Sequence, residues 1–395
     1  MDDGLVRSIS PGLSQKGVRD HNERLLLSLV QRHGALPGSD LARRAGLSPP
    51  TVSSILRRLE AEGLLERGDP VRGKVGKPSI PMRLAADGAF SFGLKIGRRS
   101  AELVLIDLRG DLRHERQLTY ETPLPDQIFD FVETGVHSIA ENLTLKQASR
   151  ICGLGVAAPF EMWNWPQNQA GADSAFETWR DVDLREILQE RSGQPVSLMN
   201  DATAACQAEH TYGRGREFRD YAYFFVGAYV GGGIALNNAV YEGRQGNAGA
   251  LGSLRSIGPN GESMQLVDMA SIHQLELRLR EVDLDPRQLW ENPESWHDLS
   301  RYVDPWIGQT AQELAKAALS TCSVIDFEAV LIDGAFPETV REKLVTRVRR
   351  YVITQDTRGL IPPRIEAGSI GRKARAIGAA TRPISALFML NPALN

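Results

Sequence analysis

Apolar residues recur at helical spacing in the first sixty residues of the chain. The first set lies between His21 and Arg32 and predicts an amphipathic helix. Ser39 is expected to cap a short second helix, Asp40 to Ala45, which ends at Gly46, because serine at an N-cap and glycine after the last turn are typical helix boundaries. The pattern therefore begins with an amphipathic helix and a short second helix, and Ala45-Gly46-Leu47-Ser48 forms the turn to the next helix.

A third helix follows, and its two faces differ sharply. Ser48 is expected to cap it, and Pro49 stands at the first helical position, where a missing N–H costs nothing. One face is apolar, with Val52, Ile55, Leu56 and Leu59. The residues that we expect to contact DNA are small polar groups and arginines away from this stripe: Ser48, Pro50, Thr51, Ser53, Ser54, Arg57 and Arg58. This arrangement predicts a helix-turn-helix whose second helix enters the major groove.

A basic loop between two short strands comes next and is typical of a wing. A strand is expected to begin near Leu64, and Ile80 to Leu84 can return beside it. Between them lies a glycine-rich loop whose cations, Arg72, Lys74 and Lys77, are further expected DNA contacts. The alternative is a plain three-helix bundle with a basic loop. The arginines of the third helix could also contact phosphates alone, which would position the protein without reading sequence.

Strand-like patterns dominate after a small-residue junction at Ala85 to Ala89. Three strands are predicted at Phe92–Ile96, Ala101–Leu108 and Leu112–Tyr120. A helix at Asp126–Glu141 and a strand at Ile151–Ala157 follow, which begins an α/β domain. The most apolar stretch, Tyr221 to Leu236, is interrupted by glycines and predicts a strand, a glycine turn and a second strand rather than a membrane span.

Length and charge also indicate two domains, with the boundary near residue 84. A chain of 395 residues exceeds one ordinary core, and we expect a DNA-binding domain at 1–84 and a second domain at 85–395. Residues 1–84 hold 14 Lys and Arg against 9 Asp and Glu, whereas the remainder holds 32 against 40. A basic end on an acidic body suggests a polyanionic partner. Three widely spaced cysteines and the absence of a signal-peptide pattern predict a cytoplasmic protein.

Several motifs in the second half of the chain are specific. Asn200-Asp201-Ala202-Thr203 follows a predicted strand, and Val230-Gly231-Gly232-Gly233-Ile234 lies in the apolar stretch. Gly246 to Gly252 and Ile377-Gly378-Ala379-Ala380 come later. On these motifs the whole chain resembles the transcription regulators of the ROK family (repressor, open reading frame, kinase). Gly76-Lys77-Pro78 is similar to the Gly-Arg-Pro element of that family's wing.

The resemblance implies an α/β fold class: a winged helix-turn-helix followed by a two-lobed, actin-like (ribonuclease H-like) sugar-kinase fold. Lobe I would comprise about 90–199 plus the C-terminal helix, and lobe II about 200–371. It also implies a sugar site, for which the expected effector-binding residues are Asn200, Asp201, Gly232, Gly233, Ala250, Ser253 and Asp268. Asn200 and Asp201 could instead cap a helix. The three glycines could equally form a simple turn.

The kinase elements of the family depart from their pattern here. Where the family has Asp-x-Gly-Gly-Thr, this chain has Lys95-Ile96-Gly97-Arg98-Arg99, so a cation replaces the residue that organises Mg²⁺. Ala228-Tyr229 and Asp333-Gly334-Ala335-Phe336 depart from two further nucleotide elements. In the family's zinc loop, Gly258, Asn260 and Gln265 fall at the cysteine positions and Ser253 at the histidine position. We expect no catalytic residue, no metal and no cofactor.

An aromatic cluster stands where the family has a Pro-Gly turn. Phe160, Met162, Trp163 and Trp165 follow Pro159. Tryptophan faces stack well on sugars, which would make the cluster a wall of the binding cleft. Packing between the lobes, or a dimer contact, is the alternative.

The sequence therefore predicts a DNA-binding transcription regulator, with repression favoured, whose kinase-like domain binds a sugar or sugar derivative without catalysis. The expected partners are duplex operator DNA, a small sugar effector and further copies of the chain, as a homodimer or homotetramer; no membrane is involved. Two other functions remain open: an active sugar kinase with a DNA-binding appendage, and a regulator controlled by a protein partner without a small ligand.

Overall fold

The computed structural model of the chain describes residues 15–70, 79–160, 176–258, 260–291 and 295–390. These residues form two compact units. The first contains the described residues up to Gly88 together with those from Ser385 onward, and the second runs from Ala89 to Ile384.

The first unit is a helix-turn-helix with a small antiparallel sheet. Its strands lie in the order β1-β3-β2, and Leu65 of β2 pairs with Leu84 of β3. Its elements are α1 (Gln15–His33), β1 (Leu36–Pro37), α2 (Gly38–Ala45), α3 (Pro49–Ala61), β2 (Leu65–Arg67) and β3 (Pro81–Leu84). The predicted three helices and the strand pair of the wing are confirmed.

The start of the second helix differs from the prediction. We expected Ser39 to cap it, but α2 begins at Gly38, with Pro37 at the N-cap position and no side-chain cap. Pro37 pairs with Pro81 of β3, so the chain leaves the sheet directly into the helix and the cap position falls two residues early. The end is as predicted, because Gly46 has φ 65°, in the left-handed region that favours glycine.

The last described residues of the chain complete this unit. The backbone N–H of Leu390 donates to Ser28 Oγ at 2.9 Å, and Arg24 Nη1 donates to the carbonyl oxygen of Ala386 at 3.4 Å. Met389 is 4% exposed. The first unit is therefore built from two segments that lie about 300 residues apart in the sequence.

The second unit begins with a five-stranded mixed sheet in the order β6-β5-β4-β7-β8. Its strands are β4 (Phe90–Ile96), β5 (Ser100–Asp107), β6 (Leu112–Thr119), β7 (Ile151–Ala158) and β8 (Val196–Asn200). Three helices accompany it: α4 (Pro125–Glu141), α5 (Leu145–Ala148) and α6 (Leu184–Ser192). Phe92, Leu94 and Ile128 are fully buried between sheet and helices. The strands predicted between residues 92 and 157 are confirmed to within two residues.

A second five-stranded sheet follows, in the order β11-β10-β9-β14-β15. Its strands are β9 (Tyr221–Val226), β10 (Val230–Leu236), β11 (Ala239–Val240), β14 (Ala329–Gly334) and β15 (Arg364–Ala367). The helices of this half are α7 (Asp201–Tyr212), α8 (Leu266–Ala270), α9 (Ile272–Arg280), α10 (Gln288–Glu291), α11 (Ser300–Cys322), α12 (Glu338–Thr354) and α13 (Ala374–Phe388). A small hairpin, β12 (Arg255–Ile257) with β13 (Ser263–Gln265), lies beside them. Two sheets with helices give the predicted two-lobed α/β architecture.

The helices α7 and α13 meet at a contact that only glycine allows. A Cβ at Gly378 would overlap the carbonyl oxygen of Ala204 in α7, and a Cβ at Gly155 of β7 would overlap the carbonyl oxygen of Ala379 in α13. The backbones therefore touch on both sides of α13. This close packing fixes α13 between α7 and the first sheet, and with it the side chain of Arg375.

The glycine triplet of the apolar stretch lies in a strand rather than in a turn. Gly231, Gly232 and Gly233 are paired with β9 inside β10, and the turn of the hairpin is at Gly227–Tyr229 instead. A Cβ at Gly231 would meet Ala202, and one at Gly233 would come within 2.5 Å of Cys206 Cβ. The glycines therefore let β10 pack closely against α7. The interpretation of these glycines as a simple turn is therefore wrong, while Gly231 and Gly232 do line the cavity described below.

In the part of the chain that the structure describes, no helix is long and apolar enough to cross a membrane.

Candidate functional site

The residues expected to bind an effector converge on one cavity of about 580 Å³ in the second unit. That volume is in the range of small-molecule sites. Six of the seven expected residues line it: Asn200, Asp201, Gly232, Ala250, Ser253 and Asp268. Gly233 does not line it, because this glycine faces Cys206 of α7. The cavity also contacts residues that we did not assign to an effector, among them Arg98, Arg255 and Arg375.

Asn200 and Asp201 stand where β8 ends and α7 begins. Asn200 Oδ1 accepts hydrogen bonds from the backbone N–H groups of Ala202 at 2.9 Å and Thr203 at 3.2 Å, so this side chain caps α7. The cap leaves only its amide nitrogen for another partner. Asp201 Oδ2 accepts from Arg375 Nη1 at 3.2 Å. The alternative of a helix cap therefore describes Asn200, while Asp201 is part of an ion pair at the wall of the cavity.

Arg375 comes from α13 and meets Asp201 across 174 residues of sequence. Its guanidinium lies 4.8 Å from the ring centroid of Phe225. The residue is 9% exposed, and its Nε has no hydrogen-bond partner among the described residues. A buried ion pair persists only when both charges are well placed, because removing either leaves the other uncompensated. The Asp201 carboxylate is therefore committed to holding Arg375.

Arg98 lines the same cavity from the turn between β4 and β5. The turn is held by the Gly97 N–H, which donates to the Ser100 carbonyl at 3.0 Å, and by the Gly97 carbonyl, which accepts from the Tyr120 hydroxyl at 2.7 Å. Arg98 is 6% exposed, and burial lowers its pKa from the usual value. Its guanidinium lies 5.2 Å from the ring centroid of Tyr229 and 5.7 Å from that of Phe176.

The other two cations of this segment are turned away and paired. Lys95 Nζ donates to Glu102 at 3.0 Å and to Ser100 Oγ at 2.8 Å, and burial lowers the pKa of Lys95 to about 8 although Glu102 opposes the shift. Arg99 Nη2 donates to Glu276 at 2.8 Å, and its guanidinium lies 5.1 Å from the ring centroid of Trp290. Neither residue lines the 580 Å³ cavity.

These contacts decide whether the region fits the Mg²⁺–nucleotide complex that the fold implies. Magnesium requires oxygen ligands in near-octahedral geometry. Glu102 and Glu276 are the carboxylates at the adjoining small cavity, and both are already paired with cations. Among the described residues, no group of three or more His, Cys, Asp or Glu side chains could hold a metal ion. The residues present therefore do not fit a magnesium-bound nucleotide.

The segment that matches the family's zinc loop is ordered by hydrogen bonds. It forms the hairpin of β12 and β13, in which the Gly258 N–H donates to the Glu262 carbonyl at 2.8 Å. Glu262 Oε2 accepts from the Asn260 N–H at 2.9 Å, and Ser256 Oγ donates to Glu313 Oε2 at 2.7 Å. The hairpin brings Arg255 and Gln265 to the cavity wall.

The expected DNA-binding residues of α3 lie on one exposed face, with one exception. Ser48 Oγ accepts from the Thr51 N–H at 3.4 Å, which confirms the predicted cap. Arg57 Nε donates to the Ser53 carbonyl at 3.3 Å, so its side chain lies along the outside of the helix. The exposed residues are Ser48, Pro50, Thr51, Ser53, Ser54 and Arg57.

Arg58 is the exception. We expected it on the open face, but it is half-buried and forms an ion pair with Glu23 of α1. Position 58 lies at the edge of the polar face of α3, so its long side chain can turn toward α1 and meet a carboxylate there. Three expected wing contacts, Arg72, Lys74 and Lys77, lie outside the described residues.

The aromatic cluster is described only at its first member. Phe160 lines the cavity and is 48% exposed. Met162, Trp163 and Trp165 lie outside the described residues.

Comparison with known proteins identifies both units. Residues 19–66 match the winged helix-turn-helix DNA-binding family, and residues 91–265 match the ROK family. The chain carries a ROK family domain. A crystal structure of a ROK family transcriptional regulator, a homologue of the Escherichia coli MLC protein, is similar over 94% of this chain and 97% of its own, with a TM-score of 0.65 and 18% identity. The predicted family and fold are therefore confirmed.

Two further relatives are a transcription repressor and a sugar kinase. The xylose repressor of Bacillus spizizenii is 24% identical over 61% of this chain, and the match spans 62% of the repressor's length. A ROK family glucokinase from Streptomyces griseus, in a structure with glucose and AMPPNP, covers 74% of this chain and 99% of its own, with a TM-score of 0.58 and 21% identity. The ROK domain here thus has the sugar-kinase fold, and it follows a DNA-binding domain as in the ROK transcription regulators.

Several residues of the site were not recognised from sequence, among them Arg98 and Arg375. Arg98 was named only as part of the segment that departs from the kinase pattern and was not assigned to the effector site. Arg375 precedes the motif of the closing helix, and nothing local in the sequence associates it with Asp201. Only the packing of α13 against α7 brings the two together.

Proposed function

We propose that this protein is a transcription regulator whose operator affinity is set by a sugar or sugar derivative bound in the 580 Å³ cavity of its ROK domain, without catalysis. It would act in the cytoplasm, as a dimer or higher oligomer on a roughly two-fold operator, because one short recognition helix reads few base pairs. The proposal favours repression, in line with the function named for the xylose repressor.

One observation carries the proposal: the cavity keeps polar lining residues while the groups needed for phosphoryl transfer are engaged elsewhere. Asn200, Ser253 and Asp268 line it. Asp201, a cavity carboxylate that could act as a general base, pairs with Arg375, and Lys95 stands where the magnesium-organising acid is needed. A general base must reach the proton that it abstracts, and an ion-paired carboxylate is a poor acceptor for it. What remains is a binding site on a chain that also carries a DNA-binding domain.

The test measures whether a ligand of the cavity alters DNA binding. Duplexes selected by the full chain from a random library serve as the operator, and their affinity is measured with and without each sugar that raises the thermal midpoint. We expect at least one such sugar to change operator affinity by about fivefold or more, the lower end of ordinary allosteric coupling. A ligand that binds both states equally changes nothing. Operator affinity that stays constant with every cavity ligand would contradict effector control.

A second prediction concerns the kinase alternative. Incubated with Mg-ATP and common hexoses, the full chain should form no sugar phosphate above background, because Glu102 and Glu276 are paired with cations and Asp201 is paired with Arg375. Product is measured by mass spectrometry, with Asp201→Asn as the control for contaminating kinases. Turnover that the wild type shows and Asp201→Asn lacks would restore the active kinase as the function of this domain.

Control by a protein partner without a small ligand is the remaining alternative. It predicts that no small molecule raises the thermal midpoint through the cavity. The polar lining of the cavity favours the small ligand.

A further inference from the structure

Arg98 is a buried cation of the cavity that forms no ion pair with a described carboxylate, whereas Arg255 is exposed to solvent. The cavity is lined by three cations, Arg98, Arg255 and Arg375, and by two carboxylates, Asp201 and Asp268. Arg375 is paired with Asp201, and Asp268 Oδ2 accepts from the Gln265 N–H at 3.1 Å. No described carboxylate forms an ion pair with Arg98.

Two of the three guanidinium nitrogens of Arg98 also lack hydrogen-bond acceptors among the described residues. Its Nε and Nη1 atoms are buried and have no partner among the described residues. The Tyr229 and Phe176 rings contact its faces, and such contacts stabilise the charge without using the N–H groups, which point along the plane of the guanidinium. Leaving charged donors unsatisfied in a buried site is costly, so an acceptor from a ligand has a large advantage there.

The cations behind Arg98 remove the other candidate acceptors. Glu102 is occupied by Lys95 at 3.0 Å, and Glu276 by Arg99 at 2.8 Å. Each of these two carboxylates is therefore already compensated by another cation.

We propose that the effector is an anionic sugar, whose carboxylate or phosphate accepts hydrogen bonds from Arg98 while its hydroxyls contact the Asn200 amide, Ser253 and Asp268. This inference rests on the proposed function and specifies the ligand of the same cavity. A planar guanidinium can donate two parallel N–H bonds to carboxylate or phosphate oxygens, and a neutral hydroxyl cannot accept both. Sugar acids and sugar phosphates share this chemistry, and the test separates them.

The experiment compares matched ligands by calorimetry on the full chain at constant ionic strength. Glucose, galactose and mannose are each titrated beside the corresponding uronate, aldonate and 6-phosphate. At least one charged member should bind about tenfold or more tightly than its neutral parent, the effect of one charge-assisted hydrogen bond. Tight binding of a uronate or aldonate identifies a sugar acid, and tight binding of a 6-phosphate identifies a phosphate ester.

Substitution at position 98 assigns the effect to this residue. Arg98→Gln keeps hydrogen-bond donors and removes the charge. It should therefore weaken binding of the charged ligand by about tenfold, and weaken binding of the neutral parent much less. Arg98→Lys keeps the positive charge but cannot donate two parallel N–H bonds, so it should recover part of the affinity that Arg98→Gln loses. Arg185→Gln removes an exposed arginine of α6 outside the cavity and should bind both ligands like the wild type. The thermal midpoint of each variant shows that the fold is retained.

Three binding results overturn the anionic effector, and one result on operator affinity, given last, also refutes it. These are equal affinity for every charged member and its neutral parent, no response to any charged member, and an equal loss of charged and neutral ligands in Arg98→Gln. A neutral parent that changes operator affinity as much as its charged relatives would leave the proposed function intact and refute this inference. A charged ligand that binds through Arg98 while operator affinity stays constant would refute the proposed function and leave the inference about the ligand of the cavity intact.

Discussion

Replacing Arg57 by glutamate is expected to lower operator affinity by about a hundredfold and to reduce the slope of log affinity against log salt by about one or more. Arg57 is exposed on α3, and its Nε bond to the Ser53 carbonyl aligns it with the polar face of that helix. A cation that contacts DNA releases counterions, and an anion at the same place repels the phosphates. Fluorescence anisotropy with selected duplexes, from about 50 to 200 mM salt, measures both quantities.

The matched control is Arg185→Glu in α6. It changes the net charge of the chain by the same amount at another exposed position, outside the DNA-binding unit. If both variants lose affinity equally, the effect comes from net charge and α3 is not the recognition helix. Arg58 is a poor choice for this test because its pair with Glu23 joins α3 to α1, and its removal would disturb the fold of the unit.

Replacing Gly378 by alanine is expected to destabilise the ROK domain by about 3 kcal/mol or more, since overpacking a rigid contact usually costs 1–3 kcal/mol and backbone leaves little room to relax. The new Cβ would overlap the carbonyl oxygen of Ala204, which belongs to the backbone of α7 and cannot rotate away. Differential scanning calorimetry should show the midpoint of this domain falling by about 5 °C or more. Effector affinity should fall with it, because the same contact sets Arg375 against Asp201.

Gly308→Ala serves as the comparison. Gly308 lies inside α11, and a Cβ there would meet only the end of the flexible Arg347 side chain, at 3.3 Å. Alanine favours a helix over glycine by about 1 kcal/mol, so this variant should keep or raise the midpoint. A Gly378→Ala protein as stable as Gly308→Ala would mean that α13 and α7 separate readily.

Local patterns were sufficient for most elements of the fold. The alternation between residues 92 and 157 predicted the first sheet because each strand has a continuous apolar signal bounded by turn residues. The start of α2 was misplaced because Leu36 and Pro37 join the small sheet by pairing with Met82 and Pro81, which are distant in sequence, and a capping rule considers only neighbouring residues. The glycine triplet was misplaced because glycine marks both turns and close backbone approaches.

For the candidate site, local sequence patterns predicted even less than they did for the fold. The Asn200-Asp201 motif was recognised because the residues adjoin each other at a strand end. The ion pair of Asp201 with Arg375 and the unpartnered state of Arg98 depend on contacts between distant segments, which composition and spacing do not contain. Family resemblance supplied the positions of Ala250 and Ser253, and the structure supplied what the family pattern lacks, the cations at the wall of the cavity.

The order of synthesis has a consequence for the DNA-binding unit. Ser28 receives its hydrogen bond from the backbone of Leu390, so the first unit takes its last partner from the end of the described chain. Translation releases the amino-terminal residues first, and domains generally fold as they emerge. Here the helix-turn-helix reaches its final packing only after the whole ROK domain has been made. A polypeptide released early from the ribosome would therefore carry the recognition helix without its complete support, and such fragments should compete poorly with the finished protein for operator DNA.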